Sequence, residues 1–286
     1  MIRLESGPST LEVDPVLGGS ILSARWHGMD IMRPMQGDDV LSASYFPLAP
    51  YSNRIAGSAF SWRGDEVVLR PNHPGDPASP AIHGVGWTSE WVVNDLGPAS
   101  VSLDLEHEAN ADWPWTFVAR QDFALARDGL CLSLSLRNMG ESAMPAGLGF
   151  HPYFPRSSRT LYRGLHSGEW ETDAGCIPTR LHRAPQPQDW WQGLPVATRI
   201  VDTVYTGRNG PLTIEWPKRG IGLIMTPSDD LAFTTVYVPA GEDIFCVEPV
   251  THMTDAFNRD RPDSGMRLLE AGESWSVDLT LEYVRL

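Results

Sequence analysis

A mostly β fold is predicted by three features of the sequence: apolar and polar residues alternate along many segments, turn-forming residues recur throughout, and no long amphipathic helical pattern competes with either. In a strand successive side chains point to opposite faces, so a half-buried sheet reads apolar, polar, apolar. The 26 Gly and 24 Pro are spread along the 286 residues, punctuating many short strands and marking no single interdomain linker. One domain spanning residues 1–286 is therefore expected.

Taken in chain order, a short β-like run lies at 66–69. Val101, Leu103 and Leu105 then alternate with Ser102, Asp104 and Glu106. Leu130, Leu132, Leu134 and Leu136 alternate with Cys131, Ser133 and Ser135 in the same way. Further runs occupy 212–216, 221–225 and 233–238, each bounded by Gly, Pro, Asn or Asp. Near the C-terminus Trp275, Val277, Leu279, Leu281 and Tyr283 face one side of a strand, and Ser276, Asp278, Thr280 and Glu282 the other. Two loops, 72–80 and 184–195, carry several prolines that withhold backbone donors from a ladder. Loops of that length often border a binding site.

Composition narrows the function. With 42% hydrophobic residues and 11 Trp the chain buries a sizeable core. A formal charge of -14 without a Lys/Arg cluster disfavours nucleic acid and anionic membrane surfaces as partners. Glu5 and several polar groups stand where a signal peptide needs an apolar run, and no later stretch is long enough to span a bilayer, so the expected location is the cytoplasm. Cys131, Cys176 and Cys246 are odd in number and lack metal-like spacing, which fits buried or half-buried reduced thiols. A Gly-x-Ser-x-Gly elbow, a phosphate-binding loop ending in Lys-Ser/Thr and a dinucleotide fingerprint are all missing, which disfavours a nucleotide cofactor.

Four segments set His, Arg or Glu among aromatics and glycines: 50–62 (PYSNRIAGSAFSW), 81–87 (AIHGVGW), 147–155 (GLGFHPYFP) and 245–258 (FCVEPVTHMTDAFN). His151 precedes Pro152, Tyr153 and Phe154, and is expected at a strand end against an aromatic wall suited to the apolar face of a sugar. Alone, its plainer reading is a histidine satisfied in the core. Glu248 follows the apolar run 244–247, where a carboxylate is costly to bury unless paired or functional; alone, it reads equally as a strand-end ion pair. The i, i+4 spacing of Glu248 and His252 would suit a metal on a helix, but Pro249 and the β context argue against one, and no metal site is expected. Asn53 and Arg54 offer donors for hydroxyls or a loop anchor, and His83 is similarly balanced.

Together these segments resemble the aldose 1-epimerase (galactose mutarotase) family, whose members carry an Asn-Arg-Ile element, a His-Gly element, a His-x-Tyr-Phe element and a C-terminal Glu in this order. Here they are Asn53-Arg54-Ile55, His83-Gly84, His151-Pro152-Tyr153-Phe154 and Glu248. The resemblance implies a large antiparallel β-sandwich (the galactose mutarotase-like supersandwich) with little helix, a monosaccharide substrate in an open cleft and no required cofactor. It gives Glu248 the role of general base and His151 that of general acid, with Asn53, Arg54, His83, Tyr153 and Asp202 binding substrate. Pro249, Val250, Thr251 and His252 after the Glu depart from the galactose-specific pattern and point to a compact bacterial branch, so galactose is not assumed.

The expected reaction interconverts the anomers of a free aldohexose. A carboxylate with an ordinary pKa near ~4.3 is expected ionised at neutral pH, its charge favouring the imidazolium of His151. A phosphorylated or sulfonated hexose is the first alternative; it needs cations, for which Arg54 and the stretch Arg156, Arg159 and Arg163 are candidates, although a solvated loop is the simpler reading of that stretch. A non-catalytic sugar-binding regulator of the same fold is the second. A glycoside hydrolase ranks last because one convincing carboxylate is found where two are needed. A monomer or homodimer is expected.

Overall fold

The computed structural model describes residues 1–183, 190–259 and 264–286. Strands make up 52% of it and helix 8%, the latter as seven single 3-10 turns among the described residues, so β pairing carries the architecture. No helix among these residues is long and apolar enough to cross a membrane.

Two large antiparallel sheets face each other. The first has eleven strands, with Ile2–Ser6 and Pro178–His182 at its edges and Tyr45–Leu48, Gly149–Pro155, Ile244–Val250, Phe233–Val238 and Val201–Arg208 adjacent at its centre, in that order. The second has nine strands, including Ser274–Arg285, Gly129–Asn138, Phe117–Ala126 and Ser100–His107 side by side, with Val92–Leu96 at one edge. The long strands extend the sequence-based runs by one to three residues at each end, and the five apolar residues of 275–283 are all buried. Strand Asp65–Val68 pairs with Ala59–Trp62 in a separate small hairpin.

The main core lies between the sheets and joins Leu11, Ile21 and Phe150 of the first to Phe123, Leu132 and Leu279 of the second. Polar contacts tie the layers as well: Tyr45 donates its hydroxyl to Gln121 Oε1 at 3.1 Å, and Trp26 donates its indole N–H to Asp128 Oδ1 at 2.9 Å. A second buried cluster, with Phe46, Leu48, Ile82, Trp87, Tyr153, Val204, Cys246 and Val250, covers the opposite face of the first sheet. Strand alternation explains the division. In Gly149–Pro155, Phe150 and Phe154 belong to the main core, whereas His151 and Tyr153 point to the other face, where the loops close over it.

The cysteines are free thiols, with Cys246 buried, Cys176 half-buried and Cys131 exposed on the second sheet. Cys131 thus departs from the expected buried or half-buried thiol, because it occupies the polar phase of an alternating strand.

Candidate active site

A cleft of about 420 Å³ opens on the outer face of the first sheet, lined by Asn53, Arg54, His83, His151, Tyr153, Asp202 and Glu248. These are the seven residues singled out from the sequence, and they come from three strands and two loops.

Strand register sets the floor. Strand Gly149–Pro155 pairs with Ile244–Val250, which pairs in turn with Phe233–Val238, and Asp202 lies across from Tyr237 one strand further on. Glu248 and His151 therefore sit on neighbouring strands on the same face, with His151 Nε2 3.3 Å from Glu248 Oε1. Both are almost wholly buried, at 2% and 6% exposure. The imidazole is flanked by Phe46 at 4.3 Å and Tyr153 at 4.7 Å between ring centroids, the aromatic wall expected of this segment.

Hydrogen bonds between the four singled-out segments build the rim. Asn53 and His83 exchange two bonds: the Asn53 backbone N–H donates to His83 Nδ1 at 3.1 Å, and the His83 N–H to the Asn53 carbonyl at 3.0 Å. The first bond leaves the His83 proton on Nε2. Both residues have left-handed backbones, φ 57° and 60°, conformations uncommon outside glycine and enriched at functional sites. Gly84, at φ +69°, could not be replaced without strain, since a Cβ there would stand 2.3 Å from the Ala49 carbonyl oxygen. Arg54 Nη1 reaches Asp202 Oδ2 at 3.4 Å and Asn53 Oδ1 at 3.3 Å. From the C-terminal segment, the Asp255 N–H donates to the Arg54 carbonyl at 3.1 Å, and Asp255 Oδ1 accepts from the Ala56 N–H at 2.9 Å.

His252 is committed to the frame. Its Nε2 accepts from the Ser52 N–H at 3.0 Å, so Nδ1 carries the proton and donates to the Met253 carbonyl at 2.8 Å. With both nitrogens engaged it is no partner for a metal held by Glu248, and the i, i+4 spacing has no helix beneath it.

Burial sets the protonation. It pushes the Glu248 carboxyl well above the usual carboxylate range, reinforced by the charge of Asp202 and opposed by Arg54. It brings His151 down to about 3, with the Arg33 charge acting in the same direction. His83 is also held well below its ordinary value, by burial first and then by its neighbours His151, Arg54 and His73. The expectation of an ionised Glu248 without a large shift, stabilising a protonated His151, is corrected on this point: both side chains lie under protein, and desolvation favours a neutral pair.

The sequence missed other lining residues, among them Arg33, Phe46, His73, Tyr237 and Glu242. Arg33 spreads its guanidinium over the Tyr153 ring at 3.8 Å, donates to the Leu41 and Ala43 carbonyls and forms no ion pair among the described residues. No periodicity marks it, because it lies in an irregular segment that reaches the cleft through its backbone bond to the Tyr153 carbonyl. His73 comes from loop 72–80, which borders the cleft as expected and is pinned by Asn72 side-chain bonds to the backbone of Ile82 and Gly84. The other proline-rich loop begins with residues 184–189, which lie outside the described residues; its Trp190 is buried away from the cleft. Arg156, Arg159 and Arg163 do not line it either, and Arg156 instead donates to the Pro239 and Glu242 carbonyls.

A family model described as aldose 1-epimerase matches residues 2–282. Among curated proteins, the uncharacterized YphB of Escherichia coli K12 is 33% identical over 283 residues, covering 95% of each chain. The uncharacterized YihR of the same strain is 26% identical over 272 residues, covering 90% of this chain and 85% of its own. Among solved structures, an Escherichia coli K12 protein described as a candidate aldose 1-epimerase superposes with a TM-score of 0.91 at 30% identity, covering 99% of this chain and 98% of that one. A galactose mutarotase-like protein of Clostridium acetobutylicum, at 19% identity, shares the fold with a TM-score of 0.87 over 99% of this chain and 95% of its own.

Proposed function

The chain belongs to the aldose 1-epimerase family, and on that premise we propose that it is a mutarotase, interconverting the α and β anomers of a free aldohexose by acid–base ring opening and closure. The observation that carries this reading is the His151–Glu248 contact of 3.3 Å at the floor of a cleft with a polar rim.

Mutarotation needs a proton taken from the C1 hydroxyl and one delivered to the ring oxygen. The C1–O5 bond then breaks, the aldehyde turns about C1–C2, and O5 closes on its other face as both protons return. Neutral Glu248 with neutral His151 holds the same number of protons as an ionised Glu248 with protonated His151. A sugar whose hydroxyls donate to the carboxylate supplies partners that burial withholds, so substrate entry moves the shared proton onto His151. Glu248 is then the base and His151 the acid, each contributing about 100- to 10,000-fold. Arg54, Asn53 and Asp202 hold hydroxyls, His83 offers its Nε2–H, and Tyr153 backs the sugar's apolar face.

The test is polarimetry of freshly dissolved α-glucose, α-galactose and other aldoses. We expect acceleration that drops by about 100-fold or more in Glu248→Gln while the fold is kept. A variant that retained most of the rate would overturn the assignment of Glu248.

One observation favours a second reading. Arg33 presents a guanidinium to the cleft without a carboxylate partner among the described residues, which would suit a hexose bearing phosphate or sulfonate. Faster turnover of glucose 6-phosphate than of glucose, lost in Arg33→Met, would select it.

A further inference from the structure

The acid–base pair has a third neighbour that the proposed mutarotation does not use. Cys246 and Glu248 are two residues apart on strand Ile244–Val250 and share its cleft-side face, with His151 on the adjoining strand. Ligand atoms of His151, Cys246 and Glu248 all lie within 4.8 Å of one another, and all three residues are buried. We propose that these three side chains form a binding site for a soft divalent cation, Zn²⁺, which occupies the floor of the cleft and excludes the sugar.

The donor set is the reason for choosing zinc. One imidazole nitrogen, one thiolate and one carboxylate are typical zinc ligands, and three protein ligands leave the fourth tetrahedral position for water. Metal–ligand lengths of about 2.0–2.2 Å place tetrahedral nitrogen and oxygen ligands roughly 3.3–3.5 Å apart. The 3.3 Å between His151 Nε2 and Glu248 Oε1 already meets that span. The longest pair needs to close by about 1 Å to reach the sulfur–ligand span. His151 can supply that movement, because its Nδ1 is buried without a hydrogen-bond partner, so turning the ring breaks no structural bond.

Charge balance also suits a dication. A thiolate and a carboxylate bring two negative charges, so the ion with its three ligands is neutral overall, the one state a desolvated floor accommodates at low cost. Binding releases the thiol proton and the proton of the neutral pair to solvent, and nothing is oxidised or reduced. His83 lines the same cleft and stands 5.2 Å from His151 between ring centroids.

The test uses the full, metal-free chain and needs no sugar, so it stands or falls apart from the mutarotase reading. Titration with Co²⁺ should give one-to-one binding with a near-ultraviolet thiolate-to-cobalt band, and Zn²⁺ should displace it. The band should persist in the double variant Cys131→Ala/Cys176→Ala, which keeps Cys246 alone. It should vanish in Cys246→Ala, with Zn²⁺ affinity reduced by about 100-fold or more. Because Cys246→Ala touches the core, its fold is checked by circular dichroism. Glu248→Gln, which leaves the thiol in place, should keep a band and bind Zn²⁺ at least about tenfold more weakly. No band in the wild-type chain, a band that survives Cys246→Ala, or undiminished Zn²⁺ affinity in Glu248→Gln would each overturn the site.

Discussion

At the scale of single residues, the proposed chemistry turns on one proton shared by two buried side chains. Burial holds Glu248 far above the usual carboxylate range and His151 at about 3, so the pair carries its single proton as a neutral acid beside a neutral imidazole. It takes up a second only in strong acid and gives up its last only well above the ordinary carboxylate pKa. The rate constant for free enzyme and sugar should therefore hold as pH falls through the ordinary carboxylate value of about 4.3, and a decline in kcat/KM there would contradict the neutral pair. His252 is the other decisive residue. Replacing it by Ala strands the Ser52 N–H and opens a cavity beside Gly147, whose position would bring a Cβ within 2.0 Å of the imidazole. We expect His252→Ala to cost about 2–4 kcal/mol in urea denaturation and to raise KM, since Ser52 leads directly into Asn53 and Arg54. Glu248 and His151 were legible as candidates because a carboxylate after an apolar run and a His among aromatics are each anomalous. Their ionisation was not legible, since burial is set by loops distant in sequence.

At the scale of elements, the site is an assembly of four segments braced against one another. Gly147 donates to the Pro50 carbonyl at 2.7 Å, and Leu148 and Thr251 are joined by two bonds of 2.9 Å. The 50–62 and 81–87 segments meet at the bridge Arg54–Ile82, and Ala49, just before the first, bridges to Gly84. Gly84→Ala should accordingly lower stability by about 2–4 kcal/mol and weaken sugar binding, read as a lower melting temperature and a higher KM. An unchanged KM would mean that the loop carrying Asn53 and His83 does not depend on that approach. The strands themselves were readable wherever one face is wet, as in Gly129–Asn138 and Ser274–Arg285. Strands at the centre of the first sheet are covered on both faces, and their alternation is masked: all six residues from Gly149 to Phe154 are buried. There the unusual residues, not the period, gave the clue. Arg33 and His73 escaped notice because irregular backbone brings them in.

At the scale of the whole molecule, stacking one sheet on another and roofing part of the first buries histidines in neutral form. His252 is held at about 4, His151 at about 3 and His83 well below its ordinary value, in each case chiefly by burial. The unfolded chain then binds more protons than the folded one below about pH 6.5. Stability is thus full above that pH and falls as acid is added, with His252 alone costing about 3 kcal/mol at pH 4. Glu248 acts in the opposite sense, since its raised pKa favours the folded state in acid, but one carboxyl stands against these three histidines and against His166, which burial also brings down to about 3. Urea midpoints should decline from pH 7 to pH 4.5, and a midpoint that rose would show that these rings are protonated in the fold. The two-sheet build also separates the thiols. Cys246 is buried beneath the cleft, burial lifts Cys176 to about 11, and Cys131 alone stands exposed, on the sheet that does not carry the cleft. A maleimide fluorophore or a surface tether should therefore attach at that one position in the native chain, giving an oriented, singly labelled protein whose cleft faces away from its anchor.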